Sequence, residues 1–329
     1  MRPAHWMARA MVLMGVLAAG ASSSAVPPDW AYPVSPSNPE LAGKPAGVGA
    51  GAAIDGALHV PGSSVTFQPS QVADLYRTPD WFPADHAPMP DVVAQGRKPG
   101  LYACAYCHLP DGAGRPENAS LAGLPAAYIV QQMRDMHSGA RSSALPDRLP
   151  FRFMQAVSLA ATEDELETAA RYFSQLRPPY RVRVVETATV PRTHVAGWIL
   201  VPDAGTLREP IGERIVETPT DPERFERRDP HVGFIAYVPP GSIRAGAALV
   251  RRGGPGRTVA CTTCHGGDLG GVANIPRLAG RSPSYLMRQL YDFQSGARHG
   301  AAGAAMKAVV ARLRPDEEIA IAAYLATLH

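Results

Sequence analysis

The chain has 329 residues, 46% of them hydrophobic and 19% charged, with 33 prolines and 31 glycines. That length accommodates two or three small domains, and the Pro and Gly content predicts short helices joined by long loops. The formal charge is +3, and without Arg2 and Arg9, which lie in a removable leader, it falls to about +1; this excludes the strong basic excess of a nucleic-acid-binding chain.

Residues 1–25 have the order of a secretory signal. Arg2, His5 and Arg9 precede an apolar run from Ala10 to Ala19, and Ser23-Ser24-Ala25 offers small residues for cleavage. The run is about ten residues where a bilayer span needs roughly 20, so export to the periplasm is expected rather than anchoring. No other stretch could span a membrane, and no Cys follows the run to take a lipid. Residues 26–88, rich in Pro, Gly and Ala with little periodicity, predict an extended N-terminal arm with local turns.

All four cysteines fall in two motifs, CAYCH (104–108) and CTTCH (261–265). This is the c-type haem attachment pattern. Two thiols three positions apart on one helical turn can reach the two vinyl groups of a haem edge, and the adjacent His108 or His265 can then meet the iron from the same face. Two haem c groups, bound through Cys104, Cys107, Cys261 and Cys264, would leave no sulfur for a disulfide. A zinc site built from two CxxC pairs has them about 15–20 residues apart, and here they are 157 apart. A redox-active dithiol has no need of a His directly after each pair.

The motifs head a repeat. A shift of 157 superimposes Leu121-Ala122-Gly123 on Leu278-Ala279-Gly280, Tyr128 on Tyr285, Gln132 on Gln289, and Ser138–Arg141 on Ser295–Arg298. Beyond that the shift is 152, pairing Met154 with Met306 and Tyr172 with Tyr324, so the first copy holds five extra residues between Arg141 and Met154. Self-similarity of this density indicates internal duplication. Residues 126–137 place Ile129, Gln132, Met133 and Met136 on one helical face, with Gly139 as C-cap. Thr162 and Glu165 form a capping box for a helix over 163–176. In the second copy Pro315 opens the matching helix, and Asp316, Glu317 and Glu318 read as charges at its positive end rather than catalytic carboxylates. Between the copies, Tyr180, Val182 and Val184 alternate with Arg181 and Arg183, and WILV (198–201) and FIAYV (234–238) lie between Pro and Gly breaks. These predict a small β-rich insert.

His108 and His265 supply one axial ligand each, and the second is usually Met or His. The first copy offers Met133, Met136, His137 and Met154. Their counterparts are Leu290, Phe293, Gln294 and Met306, so Met154 and Met306 are the only sulfur pair shared outside the Cys motifs. Both are expected in a loop that folds over the haem before the last helix. His299, matching Ser142, is the rival in the second copy, and His194 and His231 read as surface or loop residues.

These motifs (CxxCH, PxLAG, Tyr, QL or QM, SGAR, Met and a closing AxY helix) resemble those of dihaem cytochromes c of the c4 type, over about 90–178 and 240–329. The resemblance implies a mainly α fold: a signal peptide (1–25), the arm (26–88), tandem class I cytochrome c domains (89–178 and 240–329) and the insert (179–239) between them. Arm and insert fall outside the match. In the family a Pro presents its carbonyl to the haem-binding His; Pro276 stands there in the second copy, but Ala119 in the first, which would hold its carbonyl less rigidly.

The implied function is electron transfer between a protein donor and acceptor, such as a dehydrogenase or terminal oxidase, as a free carrier or as the cytochrome subunit of a dehydrogenase. A dihaem peroxidase would need one iron open to peroxide, against which two symmetrical Met ligands argue. A thiosulfate dehydrogenase would need a fifth Cys as axial ligand, which the chain lacks.

Overall fold

The computed structural model describes residues 26–34 and 56–329; the leader lies outside them. The described chain is helical with some sheet. In the first half it runs through the single turns α1 (Pro69–Val72), α2 (Asp91–Ala94) and α3 (Cys104–His108). Three longer helices follow: α4 (Ala126–Ser138), α5 (Leu149–Ala160) and α6 (Glu163–Gln175). The apolar face of α4 is buried through Ile129, Met133 and Met136, and the helix stops at Gly139, whose φ of 81° is left-handed. Thr162 and Glu165 exchange the two bonds of a capping box at the start of α6. These helices close a core that includes Val93, Leu101, Ala170 and Phe173.

Strands occupy the next stretch: β1 (Val182–Glu186), β2 (Thr189–Pro191), β3 (Thr193–Ala196), β4 (Ile199–Pro202), β5 (Arg208–Pro210), β6 (Val216–Pro219) and, after the short α7 (Pro222–Glu226), β7 (Phe234–Val238). A three-stranded sheet has the order β1-β7-β6. Val184 lies opposite Ala236 in the parallel pair, and Glu217 opposite Ala236 in the antiparallel one. Strands β3 and β4 form a hairpin whose two-residue turn is Gly197-Trp198, with Gly197 at φ 60°. A tight hairpin turn requires such a positive φ, and this one projects Trp198.

The second half repeats the helical order with α8 (Ser242–Arg252), α9 (Thr262–His265), α10 (Pro283–Gln294), α11 (Ala304–Val310) and α12 (Pro315–Ala326). Helices α8 and α12 cross so closely that a Cβ on Gly246 would lie 1.9 Å from the Ala320 carbonyl oxygen. Only glycine permits that approach. The counterpart of α8 in the first half is the single turn α2. Among the described residues no helix is long and apolar enough to cross a membrane.

Two local expectations change. Residues 56–88 are not simply extended: Leu58, Val60, Val72 and Trp81 are buried together as a small separate core. Residues 31–32 are also anchored. Ala31 and Tyr32 are buried in the core of the second half, where the Tyr32 hydroxyl donates to Asp292 Oδ1 at 2.8 Å and Arg288 Nη1 donates to the Ala31 carbonyl at 2.9 Å. Second, the acidic start of α12 is not uniformly a solvated helix end. Asp316 pairs with Arg314 and Glu317 with Arg257, whereas Glu318 is 1% exposed and its Oε1 has no hydrogen-bond partner.

Candidate functional site

The two CxxCH turns are built alike. Immediately after each His the backbone enters positive φ, at Leu109 (65°) and Gly266 (86°), which ends the helix. For a leucine this conformation is unusual and marks a position fixed by its surroundings. The chain then curls back, and the carbonyl of His108 accepts from the Gly114 amide (3.0 Å) as that of His265 does from Gly271 (2.9 Å). His108 Nδ1 lies 2.8 Å from the Ala119 carbonyl oxygen, and His265 Nδ1 lies 2.8 Å from that of Pro276. A carbonyl can only accept, so each Nδ1 carries the proton and each Nε2 keeps a free lone pair. Burial lowers both imidazole pKa values, which favours the neutral, ligating form. Ala119 thus offers its carbonyl at the same distance as Pro276. Both carbonyl segments are approached by a glycine of positive φ: a Cβ on Gly114 would lie 2.4 Å from the Ala119 oxygen, and one on Gly271 2.7 Å from the Ile275 oxygen.

Each turn opens on an apolar cavity. Cys104, Cys107 and His108 line a space of about 930 Å³ with Leu101, Ile129 and Phe173, and Met154 stands in the same wall. An adjoining space of about 890 Å³ also contains His108 and Met154 and extends to Gln132, Arg141 and Tyr285. Cys261, Cys264, His265 and Met306 line a cavity of about 1670 Å³ with Leu286, Leu313 and Leu325. Met154 and Met306 lie on α5 and α11, not in the expected loop. Met133 and Met136 also reach the first site, but as buried members of its core. His137 and His299 are exposed, their Nδ1 atoms bonded to the carbonyls of Ser158 and Gly296. His194 pairs with Asp203, and His231 pairs with Asp85 and stacks on Phe82.

This environment disfavours the other uses of a CxxC pair. Burial pushes the Cys104 thiol up to about 12 and that of Cys261 up to about 11, opposite to the activated thiolate of a redox dithiol. The four sulfurs are divided between two cavities, and among the described residues no group of three or more His, Cys, Asp or Glu could hold a metal ion.

Between the cavities lies a network whose members the sequence marked only as repeat positions. Arg141 and Arg298 form an antiparallel bridge. The Ser142 amide donates to the Ala297 carbonyl (2.7 Å) and the His299 amide to that of Ala140 (2.9 Å). Gln132 Oε1 accepts from Arg141 (3.0 Å) and Arg298 (2.6 Å), while Gln289 Oε1 accepts from Arg298 (2.9 Å) and Arg141 (3.1 Å). Arg141 also donates to Tyr285, and Arg298 bonds Tyr128. Every bond has a partner at a shift of 157, the pattern of a local two-fold axis. Neither guanidinium has a carboxylate ion-pair partner among the described residues, although both face the second cavity. Two adjacent buried cations call for anions; the carboxylate of Asp292 is close enough to interact electrostatically with both without pairing with either. A haem carries two carboxylates on an otherwise apolar ring, so the residues present fit one in each cavity: two cysteines, a neutral His, a Met and apolar walls in both, with the Arg pair at the second and Arg141 alone reaching the space beside the first.

The first site has a cover with no counterpart at the second among the described residues. Trp198 and Arg228 line its cavity. The Arg228 guanidinium sits 3.6 Å from the centre of the Tyr106 ring and donates to the Tyr106 carbonyl at 2.8 Å. Arg115 stacks at 3.6 Å on Phe225, and Arg148, whose pKa burial lowers to about 9, donates to the Trp198 carbonyl at 2.9 Å. No local motif signals these contacts, since they join residues 50 to 122 positions apart.

A family model described as Cytochrome c matches residues 244–329. The thiosulfate dehydrogenase electron acceptor of Stutzerimonas stutzeri (strain A1501) is 25% identical over 71% of this chain and 82% of its own length. Cytochrome c4 of Azotobacter vinelandii is 24% identical over 74% of this chain and 91% of its own. Among solved structures, thiosulfate dehydrogenase (TsdBA) from Marichromatium purpuratum aligns at a TM-score of 0.48 and 29% identity, over 70% of this chain but only 37% of that one. Residues 244–329 thus form a cytochrome c domain, and most of the chain is similar to cytochromes c4 and to electron acceptors of thiosulfate dehydrogenase.

Proposed function

We propose that this chain is a c-type cytochrome that carries two haems, one in each half of a duplicated chain, and acts as an exported electron carrier rather than an enzyme. The tandem organisation over 89–178 and 240–329, joined by 179–239, is part of this reading. The observation that carries it is the paired arrangement of Cys104, Cys107, His108 and Met154 around one cavity and Cys261, Cys264, His265 and Met306 around the other. Bound there, haem supplies one-electron chemistry. The thiols would hold it, and Nε2 of His108 and His265 and the sulfurs of Met154 and Met306 would be the residues' ligands to the iron. With both a His and a Met committed to the iron at each site, no position would be left for a substrate, and His/Met ligation would favour a high potential. The apolar walls exclude water and favour the less charged, reduced form.

The partner is proposed to be another redox protein. Relatives named as electron acceptors of thiosulfate dehydrogenase favour an enzyme as the donor, and the absence of a fifth Cys leaves the sulfur chemistry to that enzyme. The ligand set is tested by replacement. Met154→Ala and Met306→Ala should each remove about half of the near-infrared sulfur-to-iron band of the oxidised protein and lower one potential. Met136→Leu, a change of similar volume in the core, should leave the band intact. Loss of the band in Met136→Leu would contradict the assignment.

A further inference from the structure

The first cavity continues past its two iron-ligand candidates. Cys104, Cys107, His108 and Met154 line one space, whereas the adjoining space of about 890 Å³ shares His108 and Met154 but has no cysteine in its wall. The carboxylates of a haem stand on the edge opposite its two vinyl groups. A ring held by its vinyl edge at Cys104 and Cys107 would therefore turn its carboxylates toward the adjoining space. Of the Arg141 and Arg298 pair only Arg141 lines that space, whereas both line the second cavity. By the symmetry of the repeat, the first site is one guanidinium short.

Arg148 stands in the wall of the adjoining space and is 5% exposed. Its Nη2 donates to the Trp198 carbonyl at 2.9 Å, and its Nε has no hydrogen-bond partner. The carboxylates that act on it electrostatically are engaged elsewhere: Glu117 pairs with Arg115 at 3.0 Å, and Asp292 accepts from Tyr32 and from the Ala144 amide. Arg288, nearby, adds a second positive charge and donates to the carbonyls of Ala31 and Pro116. A buried guanidinium so placed lacks the anion that burial calls for. Arg148 belongs to the stretch where the first copy holds its five extra residues, and neither a shift of 157 (Ala305) nor one of 152 (Gly300) gives it a basic counterpart. It is also the N-cap of α5, the helix that carries Met154, so one segment brings both a sulfur and a cation to the first site.

We infer that Arg148 binds a carboxylate of the first haem, a contact the second site makes with the Arg141 and Arg298 pair instead. The inference rests on the two-haem reading. A carboxylate would give Nε its acceptor, and the planar guanidinium matches a carboxylate in geometry as well as charge. Ferric iron carries one more positive charge than ferrous iron, so a cation held beside it favours the reduced state of the first haem.

The test uses the full haem-loaded chain with Arg148→Gln, which can still donate to the Trp198 carbonyl but carries no charge, and Arg148→Lys, which keeps the charge. Redox titration and the propionate bending bands of the resonance Raman spectrum are the readouts, the first haem being the one whose potential moves in Met154→Ala. Arg148→Gln should raise the oxidised-to-reduced ratio of the first haem at fixed potential by about tenfold, which is about 59 mV for one electron. It should also shift one propionate band and leave the second haem unchanged. Arg148→Lys should keep the potential near that of the wild type and still shift the band, because an ammonium cannot reproduce the paired bonds of a guanidinium. Trp198→Ala, which removes the ring beside the cavity and keeps the guanidinium, should leave the band in place. An unmoved band in Arg148→Lys overturns the inference, even if the neutral variant fails to fold. A potential in Arg148→Lys as low as in Arg148→Gln, or the same band shift in Trp198→Ala, overturns it too, since packing rather than charge would then be responsible. Intact mass reports separately whether haem is attached at Cys104 and Cys107, and its absence would count against the two-haem reading itself.

Discussion

Arg141 and Arg298 meet across a local two-fold axis, each shared between its own glutamine and the other's. Gln132 and Gln289 therefore act as one unit joining the two halves. Removing either leaves buried guanidinium N–H groups without an acceptor, and a hydrogen bond to a charged group is worth about 1.5–3 kcal/mol. Gln132→Ala and Gln289→Ala should each destabilise the haem-loaded protein by about that amount. In the double variant the effects should depart from additivity by about 0.5–3 kcal/mol, as for residues of one network. Denaturant unfolding of the four proteins measures this, and strictly additive losses would show that the glutamines act separately.

Glu318 gives the protein a pH-dependent weakness. Burial without a partner for Oε1 raises its carboxyl to about 8, whereas an unfolded Glu titrates near 4.3. Between those values the folded chain binds more protons than the unfolded one, so stability is full below the lower value and falls as pH rises toward the upper one. Glu318→Gln should raise the melting temperature, with a gain that grows between about pH 5 and pH 8 and then levels off. Thermal unfolding across that range checks it, and a gain independent of pH would show that Glu318 is not held neutral.

Gly114 guards the carbonyl that orients His108. At φ +67°, with the Ala119 oxygen 2.4 Å from the position of a Cβ, alanine cannot be added without moving that oxygen. Strained left-handed residues cost on the order of 1–3 kcal/mol. Gly114→Ala should lower stability by at least that and shift the absorption of the first haem alone. Gly271→Ala should do the same to the second. Unchanged spectra in both would mean that these carbonyls do not position the imidazoles.

Much of this architecture was legible in the sequence because it is local or repeated. The CxxCH turns, the Thr162–Glu165 capping box and the Gly139 stop are each written within a few residues, and the repeat, at its later shift of 152, pairs Met154 with Met306. The helical setting of those two Met residues departs from the expected loop; Pro150 stands in the first turn of α5, where proline is tolerated. Glu318 was grouped with Asp316 and Glu317 because all three share the start of one helix; packing buries both glutamates but gives only Glu317 an arginine partner. The cover over the first site was hidden for a different reason. Trp198, Phe225 and Arg228 sit among strands and turns with no motif of their own, and their contacts are set by long-range packing. Ala119 illustrates the converse: the substitution for Pro was visible, but the surrounding fold holds its carbonyl at the same distance.

The central claim is that both motifs hold haem covalently. Intact mass spectrometry of the purified mature chain after acid–acetone extraction tests it most directly, because thioether-bound haem survives that treatment and free haem does not. The account predicts the mass of the polypeptide plus two haems. A bare polypeptide, or a mass corresponding to one haem, would contradict it.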